Sequence, residues 1–596
     1  MKPKGELRSY VASCGGVPAL YVNGEPFPAA AYITYLQAYH DYAGFAAAGY
    51  RLFSVPVLFA GRWINAAVEG VPFHKGIFDE KDRPDFSSLD SAVRGVLAVC
   101  PEAFVLPRLN CAMPLWWIAA HPEDTDGTGK RELLFSEAYR AAAAEMLREV
   151  IRHVSQSDYA AHIVGYQVAG GNTEEWFHFD LNGGCCQNAE PLFNAYLRRN
   201  APDCGFSGLP DLAPLQGAGP YHGDAKLTAY LEFANTEVAR TVCALCAAAK
   251  EAVNNRLVVG TFYGYSLEVS SPLWGTHALK TLLECDSVDF ICSPNSYIGV
   301  RAPDADWTEM YPADSVRLHG KLCMQECDIR THLTKPLWQA APEFDPEKRY
   351  TAPIWQGLAA PEDSVSMLRK TFCRQLIKGN GFWWFDMWGG WYRDAALHAE
   401  AARMKAVYDD SFRAPDRTGA AQLAVFSDET AYRYLTDCDL RGLAFRARIP
   451  LGCMGAPYDM YDVSDFAAVF QRYRAVVFLS DVPTPQMRRA LALCSETGVK
   501  YLALSAGQAE LSAARLRAFC DACGVHVYCR SDDIVYVNRS YFALYAVSAG
   551  EKTVSFEDVT AYRELLAENG LCGVAKTLTL RMRANETRLF RIAPYQ

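Results

Sequence analysis

No uninterrupted apolar run in the 596 residues is long enough to cross a bilayer, so a membrane partner is not expected. Basic residues are not in excess: 58 lysines and arginines against 68 aspartates and glutamates leave a net charge of −10. The electrostatic footprint of a nucleic-acid binder is therefore missing. The basic start Met1-Lys2-Pro3-Lys4 runs into the polar Gly5-Glu6-Leu7-Arg8-Ser9, where a signal peptide needs its apolar stretch. Without an export signal, 20 cysteines in no repeating frame are expected as reduced thiols, and a cytoplasmic location follows. Tryptophan is absent after Trp391, and His526 is the single histidine after His398. That scarcity argues against a cysteine–histidine–acid site in the last third, where Cys453 in LGCMG has no strand-to-helix elbow around it. Metal binding is no better supported. Cys185, Cys186 and Cys204 lack a fourth ligand, and the pairs Cys243/Cys246 and Cys520/Cys523 fall in helical stretches where cysteine packs as a small hydrophobe. No cofactor and no metal are expected.

What is present is an ordinary globular mix, 50% apolar and 21% charged, in a chain too long for one core. Eight short runs rich in β-branched and aromatic residues recur along its first 400 residues. They are Ala31 to Tyr35, Tyr50 to Phe59, Ala103 to Cys111, His162 to Ala169, Leu257 to Tyr263, Val288 to Cys292, Lys321 to Cys327 and Gly381 to Trp388. Between them lie stretches with helical apolar spacing, such as Ser88 to Val99, Glu132 to Val154, Leu227 to Val253 and Asp363 to Ile377. Strand and helix in alternation give a parallel α/β sheet, and eight units favour closure into a (β/α)8 TIM barrel over an open doubly wound sheet.

All 12 tryptophans, Trp63 to Trp391, lie in this barrel region. A polar, turn-rich link, Arg413 to Thr418 and Gly419, follows the helix Asp394 to Tyr408. Strands at Gln422 to Phe426, Ala475 to Leu479 and Tyr501 to Leu504 then alternate with helices at Val463 to Tyr473 and Pro485 to Thr497, a second, flavodoxin/amidotransferase-like α/β domain. Strand-prone runs Ile534 to Val537, Tyr541 to Val547, Lys576 to Met582 and Thr587 to Ile592 form a small antiparallel β domain. The division expected is a catalytic barrel at 1–414, the α/β domain at 415–528 and the β domain at 529–596.

The chemistry concentrates after the fourth and seventh runs. GYQVAGGNTEEWF puts Gly170 and Gly171 at a strand end and the adjacent acids Glu174 and Glu175 just past Asn172; HGKLCMQECDIRTHL puts Glu326 at the end of the seventh. Retaining glycoside hydrolysis needs two carboxyl groups roughly 5 Å apart, one nucleophile and one general acid/base. Barrel closure brings strands four and seven face to face. Glu175 is the preferred acid/base, since Trp176 can wall one side of it and raise its pKa, with Glu174 as the alternative. Glu326 is the nucleophile, kept ionised by a cation such as Arg330 unless Arg330 serves Asp328. Strand-end groups suited to hydroxyl recognition are Arg108, Asn110, Tyr263, Asn295, Tyr297, which is placed to bond the nucleophile, and Asp386. Trp383, Trp384, Trp388 and Trp391 offer flat faces to sugar rings. The competing class of reading is a non-catalytic carbohydrate-binding or scaffold protein on a degenerate barrel, which requires one acid to be blocked or paired away.

With acids after strands four and seven, a tryptophan-bearing eighth strand, then an α/β and a small β domain, the chain resembles the clan A glycoside hydrolases and, within them, the family 42 β-galactosidases and their relatives. Gln167-Val168-Ala169 matches the start of that family's QIDNE pattern, but Gly170-Gly171-Asn172-Thr173 intervenes before the acids. The resemblance implies a retaining exo-β-glycosidase acting on β-galactosides or β-mannosides, with Glu175 as acid/base, Glu326 as nucleophile, Asn172 among the substrate contacts, and the middle domain assembling a homotrimer.

Overall fold

The computed structural model describes residues 7–62, 75–126, 131–178, 187–216, 224–434 and 447–595, apart from 270, 298, 300, 349, 481 and 505–510. Trp63, Cys185, Cys186 and the first six residues lie outside these ranges. The chain begins with an antiparallel hairpin, β1 (Ser9–Cys14) and β2 (Val17–Val22), with a two-residue β3 (Glu25–Pro26) beside it. The eight barrel strands follow: β4 (Ala30–Ile33), β5 (Leu52–Leu58), β6 (Phe104–Asn110), β7 (Gly165–Ala169), β8 (Val258–Phe262), β9 (Phe290–Pro294), β10 (Leu322–Cys327) and β11 (Gly381–Phe385). All neighbouring pairs are parallel and β11 closes on β4, so the expected barrel is the observed one. Near-continuous apolar runs are what strands buried on both faces require, and every residue of β5 is buried.

Helices between the strands start and stop where the sequence supplies caps. Ser136, Asp224 and Asp394 accept first-turn N–H groups of the helices Glu137–Gln156, Ala225–Ala252 and Ala395–Ser411. Gly379, at φ 70°, ends Pro361–Lys378 in the left-handed conformation that glycine adopts without strain.

The hairpin plugs the N-terminal face of the barrel. Val11 and Leu20 pack against Leu52, Leu106, Val258 and Leu322 at the strand starts, and the Ser9 hydroxyl accepts the Val258 N–H at 2.9 Å while donating to the Val164 carbonyl. The opposite end, where the strands finish, is the one left for chemistry.

The second sheet is parallel and open, ordered β13 (Tyr458–Asp462), β12 (Leu423–Ser427), β14 (Ala475–Phe478), β15 (Lys500–Ala503). The sequence reading has three of these. It lacks β13, whose YDMYD composition hides a strand behind two aspartates. The continuous helix expected over 463–473 is instead a one-turn helix, Phe466–Val469, between two 3-10 turns, the first capped by Asp462 accepting the Ser464 N–H at 2.9 Å. The last sheet is antiparallel, ordered β16 (Ile534–Val537), β17 (Tyr541–Ala546), β20 (Glu586–Pro594), β18 (Gly550–Glu564), β19 (Cys572–Met582). β18 is absent from the sequence reading because its solvent-facing residues are charged. Hydrogen bonds fasten both sheets to the barrel: Met460 N–H to Asp314 Oδ2 at 2.7 Å, and Tyr536 hydroxyl to Asp306 Oδ1 at 2.7 Å.

Candidate active site

The loop after β7 decides how the two adjacent acids are presented. It folds back on itself, with the Trp176 N–H donating to the Gly170 carbonyl at 2.8 Å and the Asn172 N–H to the Phe177 carbonyl at 3.0 Å. Gly171, Thr173, Glu174 and Trp176 all have positive φ, between 57° and 71°. For residues other than glycine such angles cost on the order of 1–3 kcal/mol each, strain that accumulates at functional sites. The glycines are needed for a second reason: a Cβ at Gly170 would stand 2.6 Å from the Trp176 ring, and one at Gly171 2.9 Å from the Phe177 carbonyl. Trp176 thus turns inward, its indole N–H donating to Thr261 Oγ at 2.8 Å, and packs on Gly170.

The result is that Glu174 and Glu175 have different partners. Glu174 is fully buried and accepts from Arg108 Nη1 at 3.3 Å, Tyr35 Oη at 2.9 Å and Asn110 Nδ2 at 3.4 Å. Glu175 is half-buried; the Thr173 hydroxyl donates to it at 2.5 Å and the buried Tyr265 phenol faces it. Burial, reinforced by the charge of Glu326, pushes the Glu175 carboxyl up to about 8 against the pull of Thr173 and Tyr265.

Glu326, on β10, projects into the same space. Its Oε2 accepts from Arg108 Nη2 at 2.9 Å and from the Trp383 indole at 3.0 Å. Burial raises its carboxyl to about 7, with Arg108 and Trp383 working in the other direction. Arg108 is therefore the cation at this carboxylate, bridging Glu326 to Glu174 while its Nε donates to Gln167 Oε1 at 3.0 Å. Phe262, Trp383 and Phe385 surround its guanidinium with ring centres at 4.8, 5.3 and 5.9 Å. Burial works against its charge, and the two carboxylates hold it protonated.

Several sequence-derived roles are corrected here. Arg330 does not reach Glu326; with Arg301 it pairs with Asp328, and although burial opposes ionisation there, the two guanidiniums hold Asp328 below the ordinary carboxylate range. Tyr297 donates to Asp328 at 3.3 Å, not to the nucleophile candidate. The Tyr263 hydroxyl is consumed by the Gly275 carbonyl at 2.6 Å, away from the strand ends. Trp384 alternates with Trp383 on β11 and so points outward, its indole donating to Tyr50 Oη at 2.7 Å within the helical layer. Asp386 holds the loop after β11, accepting from Tyr32 at 2.7 Å and from the N–H groups of Gly390 and Trp391 at 3.0 and 2.9 Å.

Arg108, Asn110 and Trp383 do converge on the carboxyl groups. Trp388 stands next to Tyr35, ring centres 6.4 Å apart, in a cluster with Tyr350 and Trp355. Asn172 and Asn295 are buried beside the site, and the side-chain oxygen of each lacks a hydrogen-bond partner among the described residues. Such orphaned acceptors suit sugar hydroxyl donors. The groups the sequence reading lacks are Tyr35 and Tyr265, each two residues or more past a strand end, a position that itself marks a barrel active site. Among the described residues, the group of three or more metal-ligating side chains that come within 4.8 Å of one another is His121, Glu123 and Asp124, none of them in this cluster.

No family model and no curated protein matches the sequence. Solved structures do. The β-galactosidase from Bacillus circulans sp. alkalophilus is 12% identical, covering 93% of this chain and 96% of its own, with a TM-score of 0.62. The β-galactosidase from the psychrophilic Marinomonas ef1 is 12% identical over 94% and 99%, TM-score 0.60. A family 42 exo-carrageenase from Bacteroides ovatus is 11% identical over 99% and 86%, TM-score 0.59. The chain thus shares its whole architecture, barrel and additional domains, with glycosidases of that family.

Proposed function

We propose that the protein is a retaining exo-β-glycosidase that removes terminal β-linked sugars, β-galactosides or β-mannosides, by double displacement, and that it works as a homotrimer. The observation that carries the reading is the division of labour between two carboxyl groups, one in the loop after β7 and the other on β10. Glu175 is half-buried, its carboxyl is pushed up to about 8, and its hydrogen-bond partner is the Thr173 hydroxyl, with no ion pair among the described residues, which suits a general acid. Glu326 is deeper and tied to Arg108 and Trp383, which favour the ionised form of a nucleophile. Glu174, spent on three donors, has no face left for a glycosidic oxygen.

In the first step Glu326 attacks the anomeric carbon, displacing the leaving oxygen as Glu175 gives it a proton; a glycosyl ester on Glu326 results. Glu175, now a carboxylate, takes a proton from the incoming water, which cleaves the ester and restores both groups. The Trp383 indole and Arg108 stay on the Glu326 oxygen that does not attack. A screen of aryl β-glycosides identifies the sugar. The matching 2-deoxy-2-fluoro glycoside with a good leaving group is then expected to stop turnover and leave a mass label on the peptide carrying Glu326. A label elsewhere overturns the assignment.

A further inference from the structure

A second site lies at the other end of the molecule, where the hairpin turn at Gly16–Pro18, the end of the helix Pro361–Lys378, the linker at Arg417–Gly419 and the second sheet meet. They enclose a half-open cavity of about 460 Å³. That volume falls in the range of small-molecule sites. The hairpin and the apolar floor of the barrel separate it from the carboxyl cluster, so it is not an extension of that site.

Its charge is the informative feature. Two acids line it, and both are already neutralised. Asp314 accepts from Arg317 Nη2 at 2.6 Å, and Asp459 from Lys378 at 2.8 Å and the Tyr473 hydroxyl at 2.8 Å. Three more arginines line the same cavity, Arg417, Arg472 and Arg539, and none has an ion-pair partner among the described residues. Arg472 and Arg539 are exposed, but Arg417 is only 2% exposed. It is pinned by its own N–H to the Gly15 carbonyl at 2.8 Å and stacked on Phe412 at 4.2 Å. Both terminal nitrogens of Arg417 are buried without a hydrogen bond. Fully covered, those nitrogens do not face the cavity, and Arg417 contributes to it the field of an uncompensated buried charge behind its wall. In a chain of net charge −10, three uncompensated arginines around one cavity run against the overall field.

We propose that this cavity binds the phosphoryl group of a small molecule. A dianionic phosphoryl group offers oxygens to several guanidiniums at once, the geometry in which arginine outperforms lysine. The cavity leaves room beyond that group for the sugar-sized remainder of a phosphate ester.

The test is calorimetric titration of the full-length protein with inorganic phosphate and, separately, with galactose 6-phosphate, alongside the double variant Arg472→Ala/Arg539→Ala and the single variant Arg417→Ala. The double variant alters exposed side chains, so its melting temperature without ligand is expected to match the parent. Saturable binding with a Kd in the millimolar range or tighter, weakened at least about tenfold in the double variant, is the expected result. If the ester binds more tightly and phosphate displaces it, the site takes a phosphorylated small molecule; equal affinity assigns it to the free ion. Absence of saturation up to about 10 mM of either probe, or binding that the double variant leaves unchanged, overturns the proposal.

Discussion

Arg108 holds Glu326 through a 2.9 Å contact to one carboxylate oxygen while its other terminal nitrogen reaches Glu174. One cation thus serves two buried acids, one in the loop after β7 and one on β10, and three aromatic rings surround it. Removing it leaves two buried carboxyl groups with no counter-charge. Arg108→Ala is expected to cost about 3–5 kcal/mol of stability and to abolish glycosidase activity. The deficit has a pH dependence of definite sign. Both carboxyls would have folded pKa values raised above their unfolded ones, so the native state binds more protons and the variant loses stability as pH rises. Thermal melts from pH 5 to pH 8 check this; a deficit that grows toward low pH contradicts it. Arg108→Lys, a point charge without a fork, should recover only part of the loss.

The pH–rate profile is expected to be a narrow bell. Glu326 must be ionised to attack, so kcat/KM falls as pH drops below about 7. Glu175 must be protonated to assist departure, so it falls again as pH rises above about 8. Because each charge raises the other's pKa, the two limbs belong to the pair. In Glu175→Gln, measured on an activated aryl glycoside, the upper limb should vanish. Its survival would mean that another group is the acid.

The choice between the adjacent acids has its own test. Glu175→Ala is expected to slow substrates with poor leaving groups by about 100-fold or more, to spare activated ones in the first step, and to respond to azide, which attacks the glycosyl ester without base help. Glu174→Ala is expected to respond differently: it removes a partner of Arg108, Tyr35 and Asn110, so activity falls on all leaving groups alike and azide does nothing. The reversed pattern would exchange their roles.

Much of this arrangement is legible in the chain. Eight apolar runs sufficed for the barrel because parallel strands buried on both faces have no polar alternation to hide them, and every run overlaps a strand. β13 and β18 escape for the opposite reason, since aspartates in one and a charged outer face in the other dilute the apolar signal. At the site, strand ends locate Glu326, Arg108 and the acid pair, but not which side chain faces which. Trp383 and Trp384 are neighbours in sequence and opposites in space, one on Glu326 and the other on Tyr50. Their assignment needs the strand register. Likewise the partner of Glu326 is four strands away in sequence order, at Arg108, while the nearby Arg330 is taken by Asp328.

Asp386 looks like a sugar-binding acid and is instead a bracket for the loop that carries Trp388 and Trp391. It satisfies a buried phenol, the buried Trp391 N–H and the half-buried Gly390 N–H, and each buried donor left unmet costs about 1–3 kcal/mol. Asp386→Ala should lower the melting temperature clearly and raise KM more than it lowers kcat, as the tryptophan loop loosens. Asp386→Asn, which keeps one acceptor oxygen, should fall between. A variant with parental stability but no detectable sugar binding would return Asp386 to the substrate contacts.

The edge strand of the second sheet, β15, leaves Tyr501 45% exposed, and its outer side has no strand partner among the described residues. Natural proteins cover or charge such edges, and a symmetric neighbour is one way of covering them. The expected species is a homotrimer in which this domain packs near an adjacent barrel. Light scattering at micromolar concentration should give three times the 66.0 kDa chain mass, and Tyr501→Glu should shift the population toward single chains. If the parent protein runs as a clean monomer, the edge is covered by nothing in solution and the middle domain has no part in assembly.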